Sequence, residues 1–313
     1  MRILVLHTGN LGDVVSGMVV VHHLAKGPDE VDVYVRPEHR ALLVGEKRLR
    51  LIEDAELGKV DYDLCVDLDS SRLSRKLTKR VSARRKVGRY ASRFKRLKYS
   101  FLYDVQVPKS AHRHIVQDYQ PVLAYLGGGD VPLRPHLDRV RNPVVARLVA
   151  EFRGDRRRIV GVHFGAANPL RRMPDHLVVA WVDYFRLLNW AVVFVGTEEA
   201  EIEAMRRACD GYPSSGRFDL GELRALMSSL DLFVGTDSGP LHVAAALGIK
   251  CVGVYGPNLF SRSGPPGANV RVIEKDFPCR PCNQNRPCPY ARRCLATITP
   301  EDLKALLSGW VDP

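Results

Sequence analysis

Short apolar runs of five to seven residues alternate along the first third of the chain with longer stretches of helical period. "RILVLHTG" is followed by "GDVVSGMVVVHHLAK", "VDVYVRP" by "RALLVGEKRLR", and "DYDLCVDLD" by a polar, basic stretch, "DVQVP" and "AHRHIVQDYQPVLAYLG". Strand and helix in strict alternation predict a parallel sheet with crossover helices. Glycines and prolines in "LGGGDVPLRPHL" close this half. A second cycle then runs through "RRIVGVHFGAA", "DHLVVAWVDYFRLLN", "WAVVFVGTEE", "AEIEAMRRAC", "LGELRALMSSL", "DLFVGTDSGP", "LHVAAALG" and "KCVGVYGPN". Its strands are apolar throughout, as strands covered on both faces are, and it reads as a Rossmann-like unit. The tail, "TITPEDLKALLSGW", opens a helix with Thr299 at the cap and Pro300 at the first helical position. The pattern therefore predicts an α/β chain of two Rossmann-like domains, residues 1–154 and 155–296, followed by a C-terminal helix within 297–313.

Composition agrees and adds one feature. At 313 residues, with 45% hydrophobic and 26% charged positions, the chain has material for two cores. No run of 18 apolar residues occurs, and the opening apolar run breaks at Gly9 before a signal-peptide core is complete, so a cytoplasmic protein is expected. The net charge of +12 is local: residues 72–98 hold 13 Lys or Arg and no acid, and the rest of the chain is nearly balanced. Such a patch concentrates anionic partners, whether nucleic acid, an anionic membrane surface or a phosphorylated substrate.

Candidate chemistry sits where strands end. Gly9, Asn10, Leu11, Gly12 and Asp13 follow the first strand, at the edge where open α/β sheets bind ligands. The spacing is not that of a dinucleotide-binding loop, and no acid stands about twenty residues on at the end of the second strand, which closes on Arg36. Asp13 reads as a helix N-cap and as a carboxylate able to take a hydroxyl proton. In "VGTDSGPLHVAAALG", Asp237 and Ser238 stand where caps stand and Gly239 and Pro240 open a helix bearing His242. A helix start of this kind suits a phosphate. "HFGAANPLRRMPDHL" adds Arg171 and Arg172 after another strand, and Arg binds phosphate oxygens in pairs.

These three loops, in this order, resemble glycosyltransferase family 9, the heptosyltransferases of lipopolysaccharide core assembly; "GNLGDVV", "HFGAANPLRRMP", the Asp-Ser-Gly-Pro-Leu-His block and "VGVYGPN" carry the likeness. The resemblance implies a GT-B fold: two Rossmann-like domains with parallel sheets facing across a cleft, acceptor on the N-terminal side and nucleotide sugar on the C-terminal side. It implies Asp13 as the general base of an inverting, metal-independent transfer that needs no cofactor. Arg171, Asp237, Ser238, Gly239, His242 and Glu199 would serve the donor, most simply ADP-heptose; Glu201 is an alternative register for Glu199. Gly9, Asn10 and Gly12 would let an acceptor sugar approach the backbone. Arg85, Lys86 and Arg89 of the basic stretch would meet an anionic lipid-linked acceptor at the inner face of the cytoplasmic membrane. The family usually has Lys at Arg171, Trp at Met173 and Ser or Thr at Ala167, which leaves another nucleotide sugar, or an acceptor outside lipopolysaccharide, as the second reading.

Cys279, Cys282, Cys288 and Cys294 give C-x2-C-x5-C-x5-C, one half of a zinc-ribbon pattern without its second pair. Reduced thiols or disulfides, structural zinc and an iron–sulfur cluster all remain open from spacing, and recurrence of late cysteines in the family favours a structural part. A basic, zinc-containing nucleic-acid-binding protein is the rival class. Few aromatics interleave with the cations and the two ligand-type loops would have no task, so no nucleic-acid partner is expected.

Overall fold

The computed structural model describes residues 1–109, 114–129, 131–282, 284 and 286–310. The chain forms two compact units, residues 1–138 and 139–313. In the first, β1 (Arg2–His7), β2 (Glu30–Val35), β3 (Arg50–Leu51), β4 (Asp61–Asp67), β5 (Ser82–Tyr90) and β6 (Val105–Pro108) make a parallel sheet of order β3-β2-β1-β4-β5-β6. In the second, β7 (Arg158–His163), β8 (Trp190–Phe194), β9 (Ser214–Ser215), β10 (Leu232–Thr236), β11 (Lys250–Tyr255) and β12 (Val270–Glu274) make another, of order β12-β11-β10-β7-β8-β9. Counted from its own first strand, each sheet has the doubly wound order 3-2-1-4-5-6. Strand order thus reverses between β1 and β4 in one unit and between β7 and β10 in the other, and such reversals open the ligand crevice of α/β sheets. The expected α/β class with two Rossmann-like sheets is the fold observed.

Burial explains the helices as well as the strands. Leu11–Ala25 is rich in β-branched residues that disfavour helix in isolation. Val14 through Val21 are nonetheless all buried, so packing rather than propensity holds this helix beside β1. The second unit is built on Trp181, Phe185, Trp190 and Phe194, with the Phe185 and Trp190 rings 5.6 Å apart.

Three boundaries differ from the sequence reading. The units divide at 138/139 rather than 154/155, because the helix Pro143–Arg153 buries Val145 and Val149 in the second unit, where Arg153 pairs with Asp231 at 3.4 Å. The tail helix, Pro300–Leu307, buries Leu303 and Leu307 in the second core and is part of that unit; residues 311–313 of the expected segment lie outside the described residues. The stretch expected as helix over 111–127 forms a 3₁₀ turn at Gln117–Tyr119 running into an α-helix at Gln120–Tyr125, and its residues 111–113 also lie outside the described residues.

Candidate active site

The loop after β1 is built around a pair of a buried histidine and a half-buried aspartate. His7, at the end of that strand, directs Nδ1 to the Asp69 carboxylate at 3.1 Å, and its Nε2 donates to the main-chain oxygen of Asp13 at 2.9 Å. Asp69 follows β4, the neighbour of β1, and also accepts from the Thr8 amide and, at 3.1 Å, from the Thr8 hydroxyl. Burial pushes the His7 imidazole toward neutrality, but the charge and hydrogen bond of Asp69 outweigh it and its pKa lies above the ordinary 6.5. Burial pushes the other way on Asp69, yet His7 and the Thr8 amide hold its carboxyl well below the usual range. Both shifts favour the charged forms of the pair beneath the loop. Room for the ring comes from Gly17, where a Cβ would lie 2.3 Å from His7 Nε2.

Asp13 is half-buried at the third position of the helix that begins at Leu11; Asn10, not Asp13, is the cap residue. One carboxylate oxygen accepts from the Asn10 amide at 3.0 Å, and the other has no hydrogen bond to the described residues. Gly9 has a structural reason for being bare. A Cβ there would lie 2.7 Å from Asp13 Cβ and 3.2 Å from oxygens of both Asp13 and Asp69, so its bareness makes room for the two carboxylates. Arg36 closes the loop from the end of β2 by donating to the Gly9 carbonyl at 3.0 Å and to Asn10 Oδ1 at 3.3 Å. Gly12 lies in the first turn, where its carbonyl accepts from Ser16 at 2.8 Å.

The basic stretch is a helix, a strand and a second helix: Arg72–Arg80, β5 and Arg93–Lys98. Arg85 is exposed on β5, and Lys86 is half-buried with Nζ on the Thr78 carbonyl at 3.1 Å. Arg89 departs from expectation. It is 5% exposed, donates to the carbonyls of Leu68 (2.9 Å) and Asp118 (2.6 Å), pairs with the Asp118 carboxylate and lies 4.9 Å over the Tyr119 ring. Both terminal guanidinium nitrogens bond inside the protein, while Nε is buried without a partner among the described residues, so the side chain ties the strand to the segment carrying Asp118 and is not exposed to an acceptor.

In the second unit the loops after β7 and β10 converge. Arg171 lies 3.4 Å from the Asp237 carboxylate and donates Nε to Gln284 Oε1 at 2.5 Å. Asp237 is turned inward, not to the helix start: it accepts from Asn258 Nδ2 at 2.5 Å and from Ser263 at 3.4 Å, and burial raises its pKa against the pull of Arg171. Ser238 caps the helix Gly239–Ala246 in position only, since its hydroxyl donates to the Thr236 carbonyl. Gly239 and the residues after it present first-turn amides that have no partner within the helix. His242 is buried on that turn. Glu199, expected near the donor, is exposed and pairs with Arg217 at 3.0 Å, whereas Glu201 pairs with Arg172. The cysteine segment enters the site through Gln284, which also donates to Asn258 Oδ1 at 2.5 Å and accepts from Asn168 at 3.2 Å on its main-chain oxygen. Its cysteines are free thiols: Cys294 is packed into the core, and Cys279, Cys282 and Cys288 are half-buried. Burial, then the neighbouring Cys279 and Cys288, raise the pKa of Cys282. Among the described residues no group of three or more His, Cys, Asp or Glu is placed to hold a metal ion.

Sequence reasoning missed His7, Asp69, Arg36, Asn258 and Gln284. The first three had a signal, a polar side chain at the carboxyl end of three adjacent strands. Gln284 had none, because only the folded cysteine segment brings it to Arg171.

Two Rossmann sheets, each with polar side chains gathered beside its own switch point, define the GT-B type of architecture. The model of glycosyltransferase family 9 (heptosyltransferase) matches residues 48–291, and the chain belongs to that family. The matched span begins after Asp13. Among curated relatives, lipooligosaccharide heptosyltransferase 2 of Campylobacter jejuni is 36% identical over 73 residues, which is 23% of this chain and 23% of that protein. Lipopolysaccharide heptosyltransferase 1 of Pseudomonas aeruginosa is 25% identical over 97% of this chain and 90% of its own. Among solved structures, a family 9 glycosyltransferase from Veillonella parvula superimposes with a TM-score of 0.79 at 21% identity, covering 98% of this chain and 96% of that one. The E. coli ADP-heptose lps heptosyltransferase II gives 0.75 at 22% identity, covering 98% and 99%, and these likenesses establish the fold.

Proposed function

We propose that this chain is an inverting glycosyltransferase that moves heptose from ADP-heptose to a phosphorylated, lipid-linked acceptor of the lipopolysaccharide core. The observation that carries this reading is the Asp13 carboxylate, anchored through one oxygen to the Asn10 amide at the first switch point and presenting the other. As an acceptor hydroxyl attacks the anomeric carbon, its oxygen forms the new bond, its proton passes to Asp13, and the bond to the diphosphate oxygen breaks from the opposite side. Charge then develops on the leaving diphosphate. In this reading Arg171 and the helix start at Ser238 and Gly239, in the second unit, stabilise it. Asp237 holds Arg171 in position rather than touching the anion, since a carboxylate beside a diphosphate opposes binding. The reaction as written uses protein groups for this neutralisation, so transfer should persist in EDTA; loss that Mg²⁺ restores would overturn that part.

The names of the relatives support the donor: one E. coli heptosyltransferase was solved with ADP and with an ADP-linked fluoroheptose. The acceptor reading rests on Arg85, Lys86 and the surrounding cations. No helix among the described residues is long and apolar enough to cross a membrane. The enzyme works, in this reading, docked by its basic stretch on the anionic inner face of the cytoplasmic membrane, without a nucleic-acid partner. A thermal-shift panel of ADP, UDP, GDP and CMP sugars tests the donor, because ligands that bind only the folded state raise its melting point by mass action. Selective stabilisation by the ADP species is expected. Preference for another base would favour the second reading, a family relative with a different sugar.

A further inference from the structure

The helix Arg93–Lys98 buries none of its residues. Its apolar side chains face solvent instead: Phe94 is 73% exposed, Leu97 77%, and Phe101, just beyond the helix, 73%. Phe94 and Leu97 are three residues apart and so share one face. Cations interleave with the rings. Lys98 lies 6.0 Å from the Phe94 ring and 5.9 Å from Tyr99, Arg75 4.0 Å over Tyr99, and Lys79 5.7 Å from Phe101. Phe101 also lines a groove of about 440 Å³ with Lys79, Arg84 and Lys86; Asp104 at the same groove is held by the Lys86 amide at 2.7 Å. Leaving three large apolar side chains in water forfeits the gain that burial brings, and among the described residues nothing covers them.

We propose that residues 93–101 are an interfacial anchor: Phe94, Leu97 and Phe101 enter the headgroup and acyl boundary of an anionic bilayer while the surrounding Arg and Lys lie level with the lipid phosphates. Charge complementarity selects this occupant. A second copy of the chain would bring two arrays of like charge together. Single-stranded nucleic acid would use the rings as stacking platforms but would leave Leu97 unpartnered. The inference rests on the membrane-docking part of the proposed function and deepens it. Docking by charge alone fades with salt, whereas inserted side chains add a component that salt does not screen.

The test uses the full-length protein with phosphatidylglycerol–phosphatidylethanolamine vesicles and phosphatidylcholine vesicles across a salt series. Wild type should bind the anionic vesicles, weaken as salt rises and level off at a measurable residual affinity. The triple variant F94S/L97S/F101S should lose that residual, with affinity at low salt reduced about tenfold or more, and should melt with wild type because these side chains are not in the core. In F94W, the introduced indole should shift its emission to the blue on binding and be quenched by brominated acyl chains. If the triple variant binds like wild type at every salt, or the indole of F94W stays in water while the protein is bound, docking is electrostatic only and the anchor is wrong. If wild type binds neither vesicle, docking itself fails, and the anchor with it. Displacement of bound vesicles by single-stranded RNA at stoichiometric amounts would assign the patch to nucleic acid and overturn the proposal.

Discussion

At the scale of single residues, the least visible feature of the sequence is the pair that holds the loop. Gly9, Gly12 and Asp13 announce themselves by position, but His7 reads as the polar end of an apolar strand and Asp69 as one of several acids around β4. Only the pairing of β1 with β4 makes them neighbours. The consequence is testable through pH. With His7 raised above 6.5, its stabilisation is fully present below that pH and is lost as pH climbs through the higher folded value; with Asp69 held below 3.8, its share is present above 3.8 and lost as pH falls through the lower folded value. The pair is at full strength between those two pH values. His7→Gln should therefore lower unfolding stability by about 1–3 kcal/mol near pH 6, because it removes the charged partner of Asp69 and leaves the carboxylate only its Thr8 donors. Urea titrations at several pH values should show the gap to wild type narrowing as pH rises through the His7 folded value, and a gap that does not change with pH would count against a charged pair. Gly17→Ala drives a Cβ into the same ring and should cost about 1–3 kcal/mol by overpacking, read as a lower urea midpoint.

At the scale of elements, the basic stretch shows what charge hides. Thirteen cations in residues 72–98 read as one basic patch, yet β5 runs through its middle. Val87, Gly88 and Arg89 are buried there, and the remaining cations stand on its open positions and on two helices. A buried arginine and a strand carrying so few apolar residues break the usual alternation, which is why neither was legible. The loop after β7 was better marked, since two arginines at a strand end already suggest an anion. Sequence did not separate them: Arg171 turns to Asp237 and Gln284, while Arg172 goes to Glu201 and lies 5.7 Å over the Phe164 ring. Arg171→Ala should abolish most of the thermal stabilisation by ADP, read as the ligand-induced shift from the variant's own unliganded melting point, whereas Arg172→Ala should leave ADP stabilisation nearly intact. Equal losses in both variants would mean that the loop, not Arg171, meets the phosphates.

At the scale of the molecule, the periodicity of apolar runs was enough for the α/β class and for two Rossmann-like units, because buried parallel strands write themselves as continuous apolar words. The boundary was not legible: "RNPVVARLVAEFR" is amphipathic by itself, and only contact with the second core assigns it. A fragment of residues 139–313 should accordingly fold alone and melt cooperatively, while one of residues 155–313 should be less stable by several kcal/mol, since Val145 and Val149 each contribute about 1.5–3 kcal/mol of burial. Equal melting of the two fragments would return the boundary to 154/155. The central claim concerns the chain as an enzyme, and single-turnover transfer from ADP-heptose to a lipid-linked acceptor, measured for wild type and Asp13→Asn beside their ADP affinities, tests it most directly. The account predicts a rate lower by about 10²–10⁴-fold in the variant with ADP affinity unchanged, and transfer by Asp13→Asn at the wild-type rate would contradict it.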